Sequence, residues 1–107
     1  MKIITVCGSM RFIKDMMDIS VKLELEGNCL LMPIYSPTRS SKKDFTEEEA
    51  EMLDKMHKER IKIADAILVV DVEGYIGEST KNEIEFAKSF GKGILYYSSL
   101  INKKSVD

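Results

Sequence analysis

Apolar, β-branched runs alternate along the chain with segments of helical period, and glycine and proline punctuate the joins. This order predicts an α/β domain. The run AILVVDV (66–72) is nearly continuous in apolar residues, as a strand buried on both faces requires. Together these observations predict a small flavodoxin-like or Rossmann-like three-layer sandwich with a mainly parallel sheet of about four strands and right-handed crossovers. With 107 residues the chain forms one such domain, spanning 1–107, and not two.

Ile3 to Cys7 is β-branched and apolar and predicts the first strand. Met10 to about Glu26 follows as a helix, because Phe12, Met16, Ile19 and Leu23 recur at steps of three and four. Gly27 and Asn28 end that helix. Cys29 to Met32 is a short second strand closed by Pro33. Residues 33–46, with two prolines and five Ser or Thr, form a loop long enough to suggest a functional lid or a disordered segment. Thr46 before Glu47, Glu48 and Glu49 is an N-cap with acids in the first turn of a helix reaching about Ala64. The third strand covers Ala66 to Val72, a third helix Thr80 to Phe90, and a fourth strand Gly93 to Tyr97. Residues 98–107 are expected to be a frayed polar tail.

Composition excludes several classes. A formal net charge of −2, with 44% hydrophobic and 32% charged residues, provides no field for nucleic acid or a membrane surface. No apolar run is long enough to span a bilayer, and Met1 and Lys2 lead directly into the first strand, so no signal peptide is expected. Cys7 and Cys29 lie in or beside apolar runs and are expected to be reduced, buried thiols in a cytoplasmic protein. The spacing of Cys and His suggests no metal, and no cofactor is expected.

In an open parallel sheet, ligands sit beyond the carboxyl ends of the strands. Three segments meet there: CGSMR (7–11), the 33–46 loop, and EGYIGEST (73–80). Gly8 permits a sharp turn and a close approach, and Ser9 is a good N-cap. Arg11 in a first helical turn opposes the helix dipole, so an anion-clamping role competes with a plain cap and a solvated arginine.

On a wheel of about 100° per residue, Phe86, Ala87 and Phe90 fall within roughly 60° of Glu83, and Glu85 points to solvent. Glu83 is thus a carboxylate at the edge of a core, costly unless hydrogen-bonded and open to pKa tuning. The competing reading makes TKNE (80–83) a capping box in which Glu83 folds back on Thr80. On the second helix, Leu53, Met56, His57, Arg60, Ile61 and Ala64 share a face, which places the single histidine toward the sheet as a core residue or a site residue. Arg60 on that face is expected to pair with Asp65 or Asp71. Asp65 caps a turn, whereas Asp71, near a strand's carboxyl end, is a candidate ligand-binding residue. Tyr75, between Gly74 and Gly77, either stacks on a sugar or base or packs on the loop.

Three stretches resemble the nucleoside 2-deoxyribosyltransferase superfamily, which includes the deoxynucleoside 5′-monophosphate N-glycosidases. VCGSMRF (6–12) resembles the loop that holds the 5′-phosphate, ADAILVVDV (64–72) resembles the Ala-Asp-apolar strand, and STKNEIEFAKSFGKGI (79–94) resembles the helix that bears the nucleophile. The resemblance implies cleavage or transfer at the N-glycosidic bond of a (deoxy)nucleoside or its 5′-monophosphate, with Glu83 as nucleophile. It also implies that Gly8, Ser9 and Arg11 bind a phosphate, that Asp71, Tyr75, Gly77, Ser79 and Thr80 line a sugar pocket, and that the chain forms a homodimer or higher homo-oligomer. His57 stands where relatives carry an aspartate, so it would orient or protonate in that residue's place, and Glu85 stands where they often carry glycine. The competing class is a non-catalytic nucleotide- or phosphosugar-binding module of the same fold.

Overall fold

A computed structural model of the chain describes residues 1–39 and 41–102. Its sheet is four-stranded and wholly parallel, built from β1 (Ile3–Cys7), β2 (Cys29–Leu31), β3 (Ala66–Val69) and β4 (Gly93–Tyr96) in the order β2-β1-β3-β4. Four α-helices complete the described residues: α1 (Ile13–Leu25), α2 (Glu47–Ile63), α3 (Glu78–Ser89) and α4 (Tyr97–Asn102). The architecture is the expected flavodoxin-like or Rossmann-like sandwich.

The period-two alternation of the central strands divides the core into two layers. Ile4, Val6, Leu68 and Val70 face α1, where Met16, Ile19 and Leu23 meet them, and α4 adds Tyr97 and Leu100 to that layer. Cys7, Ile67 and Val69 face the opposite way, toward Ile61 of α2 and Ile84 and Ala87 of α3. Because β1 and β3 are covered on both sides, β3 is buried over its whole length. Thr5 is the one polar side chain in β1. It is fully buried, and its hydroxyl donates to the Arg60 carbonyl at 2.7 Å, tying α2 to the sheet.

Register places Ile4 opposite Ala66 and Cys7 opposite Val69. At the start of the pair, Ile3 N–H donates to the Asp65 carboxylate at 2.7 Å, and Asp65 N–H donates back to the Ile3 carbonyl. Asp65 therefore fastens the opening of two strands, a structural duty, and Arg60 pairs with neither Asp65 nor Asp71. At the far end Gly8 lies so close to Val70 that a Cβ would sit 3.2 Å from the Val70 carbonyl oxygen and 3.3 Å from its Cβ.

Several boundaries differ from expectation. β3 stops at Val69, since the chain then turns through Val72–Gly74 in a tight helical turn with Glu73 at φ 53 and Gly74 at φ 79. The first helix opens with a 3₁₀ turn, Met10–Phe12, before α1 begins. The polar end is not a frayed tail over its first part, because Tyr97–Asn102 is helical; residues 103–107 lie outside the described residues. Asp71 accounts for this order. Its buried carboxylate accepts hydrogen bonds from Ser98 N–H at 2.9 Å and Ser98 O–H at 2.7 Å, latching α4 to the end of β3.

Cys29 is exposed rather than buried, because β2 is an edge strand. The first half of α2 is also more exposed than its pattern suggests, with Leu53 and Met56 both in the exposed class. A helix of 17 residues is about 25 Å long and outruns the five-residue strand it packs on.

Asp71→Ala should remove both latching bonds and strand the Ser98 donors. The expected loss is about 1–3 kcal/mol of unfolding free energy, read by denaturant titration. An unchanged midpoint would show that Asp71 does not hold α4.

Candidate active site

Chain reversal above β1 and β3 creates the cleft. α1 follows β1 on one face of the sheet and α3 follows β3 on the other, so the loops after these strands diverge, as at the switch point of an open parallel sheet. The resulting cleft has a volume of ≈ 450 Å³. Gly8, Ser9 and Arg11 border it from the first loop, and Tyr75, Gly77, Ser79, Thr80 and Glu83 from the third loop and α3. Three more residues reach it that the sequence reading did not single out: Met10, Glu78, and Lys42 from the long second loop. Lys42 sits in a 3₁₀ turn, Lys42–Asp44, which Ser41 closes as a capping box. Two expected site residues do not line the cleft. Asp71 is committed to Ser98, and His57 lies behind Glu83.

Ser9 caps the first turn by accepting from Arg11 N–H at 3.4 Å. The Arg11 guanidinium rests on the Tyr75 ring, with Cζ 4.4 Å from the centroid, and Phe12 meets the same ring edge-on at 5.9 Å. Tyr75 therefore packs on the loop, and the contact also holds the arginine at the rim of the cleft.

α3 is capped by Gly77, whose extended backbone (φ −77, ψ 172) ends the loop, and no side chain caps the helix. Thr80 is consequently inside the first turn and buried, so the capping box with Glu83 does not form. The packed stripe runs Thr80, Ile84 and Ala87, one position round from the expected stripe, and Phe90 is left exposed. Glu83 flanks this stripe on the cleft side, with its side chain 15% exposed.

Behind it, Cys7 of β1 and His57 of α2 bring Sγ, a ring nitrogen and a Glu83 oxygen within 4.8 Å of one another. Arg60 Nη1 lies 3.4 Å from His57 Nδ1. A guanidinium only donates, so Nδ1 accepts and the ring proton is on Nε2. Nε2 faces Cys7 Sγ at 3.6 Å and Glu83 Oε1 at 3.8 Å. Burial, and then the Arg60 charge, lower the His57 pKa from 6.5 to about 4, so the ring is neutral at pH 7. The 3.8 Å contact with Glu83 is thus between a neutral N–H and a carboxyl group and is not an ion pair. The same tautomer presents a proton to the cluster instead of the lone pair a metal needs.

Glu83 is shifted the opposite way. Burial raises its pKa from 4.5 to about 7, the neighbouring Cys7 thiol opposes this, Asp54 adds to it, and Lys58 lowers it. The Cys7 thiol is pushed well up, first by burial and then by Glu83, so it stays protonated. The site therefore holds a carboxyl group poised between acid and base near neutrality, facing a cleft with hydroxyls and cations on its walls.

No protein-family model and no curated protein matches the chain, so the functional reading rests on these residues and their geometry.

The two shifts bear oppositely on stability. Glu83 is raised in the fold, so its contribution is present below about pH 4.5 and lost as pH rises through about 7. His57 is lowered, so its contribution is present above about pH 6.5 and lost as pH falls through about 4. Glu83→Gln should accordingly raise the melting temperature at pH 8 and have little effect at pH 4.5. Calorimetry at the two pH values tests this, and an equal change at both would exclude a raised Glu83.

Proposed function

We propose that this protein cleaves or transfers at the N-glycosidic bond of a (deoxy)nucleoside or nucleoside 5′-monophosphate, with Glu83 as the nucleophile. The observation that carries the reading is the placement of one largely covered carboxyl group, with its pKa near 7, at the wall of a cleft beyond β1 and β3. N-glycoside cleavage passes through a cationic, oxocarbenium-like sugar, which a carboxylate beneath the anomeric carbon stabilises and captures as a glycosyl ester. Ser79 and Thr80, one turn before Glu83, suit the sugar hydroxyls, and Arg11 and Lys42 supply positive charge for a 5′-phosphate. Water as acceptor makes the protein a hydrolase, and a second base makes it a transferase.

In this reading His57 orients and does not protonate the leaving base: it lies behind Glu83 and is neutral at pH 7. The leaving group's proton comes from water or from the protonated fraction of a cleft residue. We also propose that the protein forms a homo-oligomer, since Met52, Leu53 and Met56 leave apolar area uncovered on α2.

A histidine where the resemblance expects a second carboxylate favours one other reading, a module that binds nucleotides without turning them over. Chromatography of incubations with deoxynucleosides and their 5′-monophosphates separates the two. The expected result is release of free base, falling at least about 100-fold in Glu83→Gln. Its kcat/KM should rise with pH to a plateau with a midpoint near 7, as the carboxyl group ionises. Binding of a monophosphate in calorimetry with no base released would establish the binding module instead.

A further inference from the structure

Cys7 is the remaining member of the buried cluster, and the proposed reaction makes no direct use of it. It ends β1, is 0% exposed, and lies outside the cleft lining, so it meets neither ligand nor solvent. The groups around it form a directed series. Arg60 can only donate, and does so to His57 Nδ1. That leaves Nε2–H to donate to Cys7 Sγ at 3.6 Å. With its lone pair so occupied, the protonated thiol has its hydrogen free for the Glu83 carboxylate, an oxygen of which lies within 4.8 Å of Sγ. Arg60, His57 and Cys7 come from α2 and β1, and Thr5 on the same strand clamps the two together through the Arg60 carbonyl. The spacing is therefore set by the fold and not by flexible side chains.

We propose that Cys7 is a positioning residue for Glu83: its thiol passes the hydrogen bonding of the Arg60–His57 pair to one carboxylate oxygen, which leaves the other oxygen directed at the cleft. The inference rests on reading Glu83 as the working carboxylate. A thiol suits the duty. It is a weak donor, so it holds the carboxylate without neutralising it as a cation would, and its own proton stays in place across the working pH range. A donor to the charged form also offsets part of the burial that disfavours ionisation. Other charges surround Glu83 as well: Asp54 and Lys58 from α2 act on it with opposite signs, and Arg11, Lys42 and Glu78 line the cleft it faces. All of these are unchanged by substitution at Cys7, so a difference between Cys7 variants reports the thiol.

The test follows the Glu83 titration by carboxyl carbon-13 NMR, its resonance assigned by loss in Glu83→Gln. Cys7→Ala should raise the midpoint by at least about 0.5 pH unit, and Cys7→Ser, which restores a donor, should hold or lower it. A role in packing alone would move stability in both variants and leave the titration in place. An infrared measurement needs no change at Cys7. In a Cys29→Ser background the single S–H stretching band should lie at lower frequency above pH 7 than below, and lose this dependence in Glu83→Gln. An unmoved midpoint in Cys7→Ala, or an S–H band indifferent to pH from 5 to 9, overturns the proposal. Failure to release base from any nucleoside leaves both readouts intact and counts against the proposed reaction alone.

Discussion

Burial of β1 and β3 on both faces is the constraint from which the rest of the structure follows. Two adjacent central strands with apolar side chains above and below need a helical layer on each side. Joining parallel strands through those layers sends α1 across one face after β1 and α3 across the other after β3. The connections must therefore part above the carboxyl ends of β1 and β3, and the cleft is the space they leave. Gly8 sharpens the effect, because its missing side chain lets the first loop lie against Val70 and keeps the floor of the cleft close to the sheet. Asp71, just beyond β3, stabilises the α1 layer by holding Ser98 at the start of α4.

The same packing determines the electrostatics. α3 must face the sheet through Thr80, Ile84 and Ala87, and this rotation carries Glu83 to the boundary between core and cleft. There it loses most of its hydration, and its pKa rises to about 7. Behind it lie the His57 ring, with Nε2 3.8 Å from a carboxylate oxygen, and the Cys7 thiol. A carboxyl group that prefers to be neutral in the fold, yet has to ionise to act as a nucleophile, works against stability above neutrality. Its neighbour His57 resists protonation for a related reason, burial beside a permanent cation.

Much of the framework was legible in the chain. β1 was readable to the residue because Ile3–Cys7 is a β-branched and apolar run followed by glycine, and the Thr46 cap was readable because three acids fill the turn after it. The cleft was legible as three loops that any parallel sheet of this order brings together. Where local pattern and long-range packing compete, the sequence reading was less successful. TKNE satisfies a capping box locally, but burial of Thr80 starts α3 at Glu78 and leaves Gly77 as the cap. Asp71 sits at a strand's carboxyl end, as a ligand-binding residue would, yet Ser98, 27 residues on, takes both of its oxygens. Phe90 shares Glu83's side of the wheel and still faces solvent, since α3 ends at Ser89 and Phe90 is its C-cap. Lys42 carried no signal beyond its place in a long loop.

The sequence by itself determined the α/β order, the two-faced central strands, the position of the cleft and the candidacy of Glu83, because these follow from residue periodicity and from turn residues acting over a few positions. Only the tertiary structure decided what surrounds Glu83. Cys7, His57 and Arg60 lie 76, 26 and 23 residues before it in the chain. Their mutual contacts, the histidine tautomer and the raised pKa of Glu83 all come from side chains that meet only when β1, α2 and α3 pack together. Desolvation and hydrogen-bond direction depend on that meeting, and no local stretch of the chain encodes them.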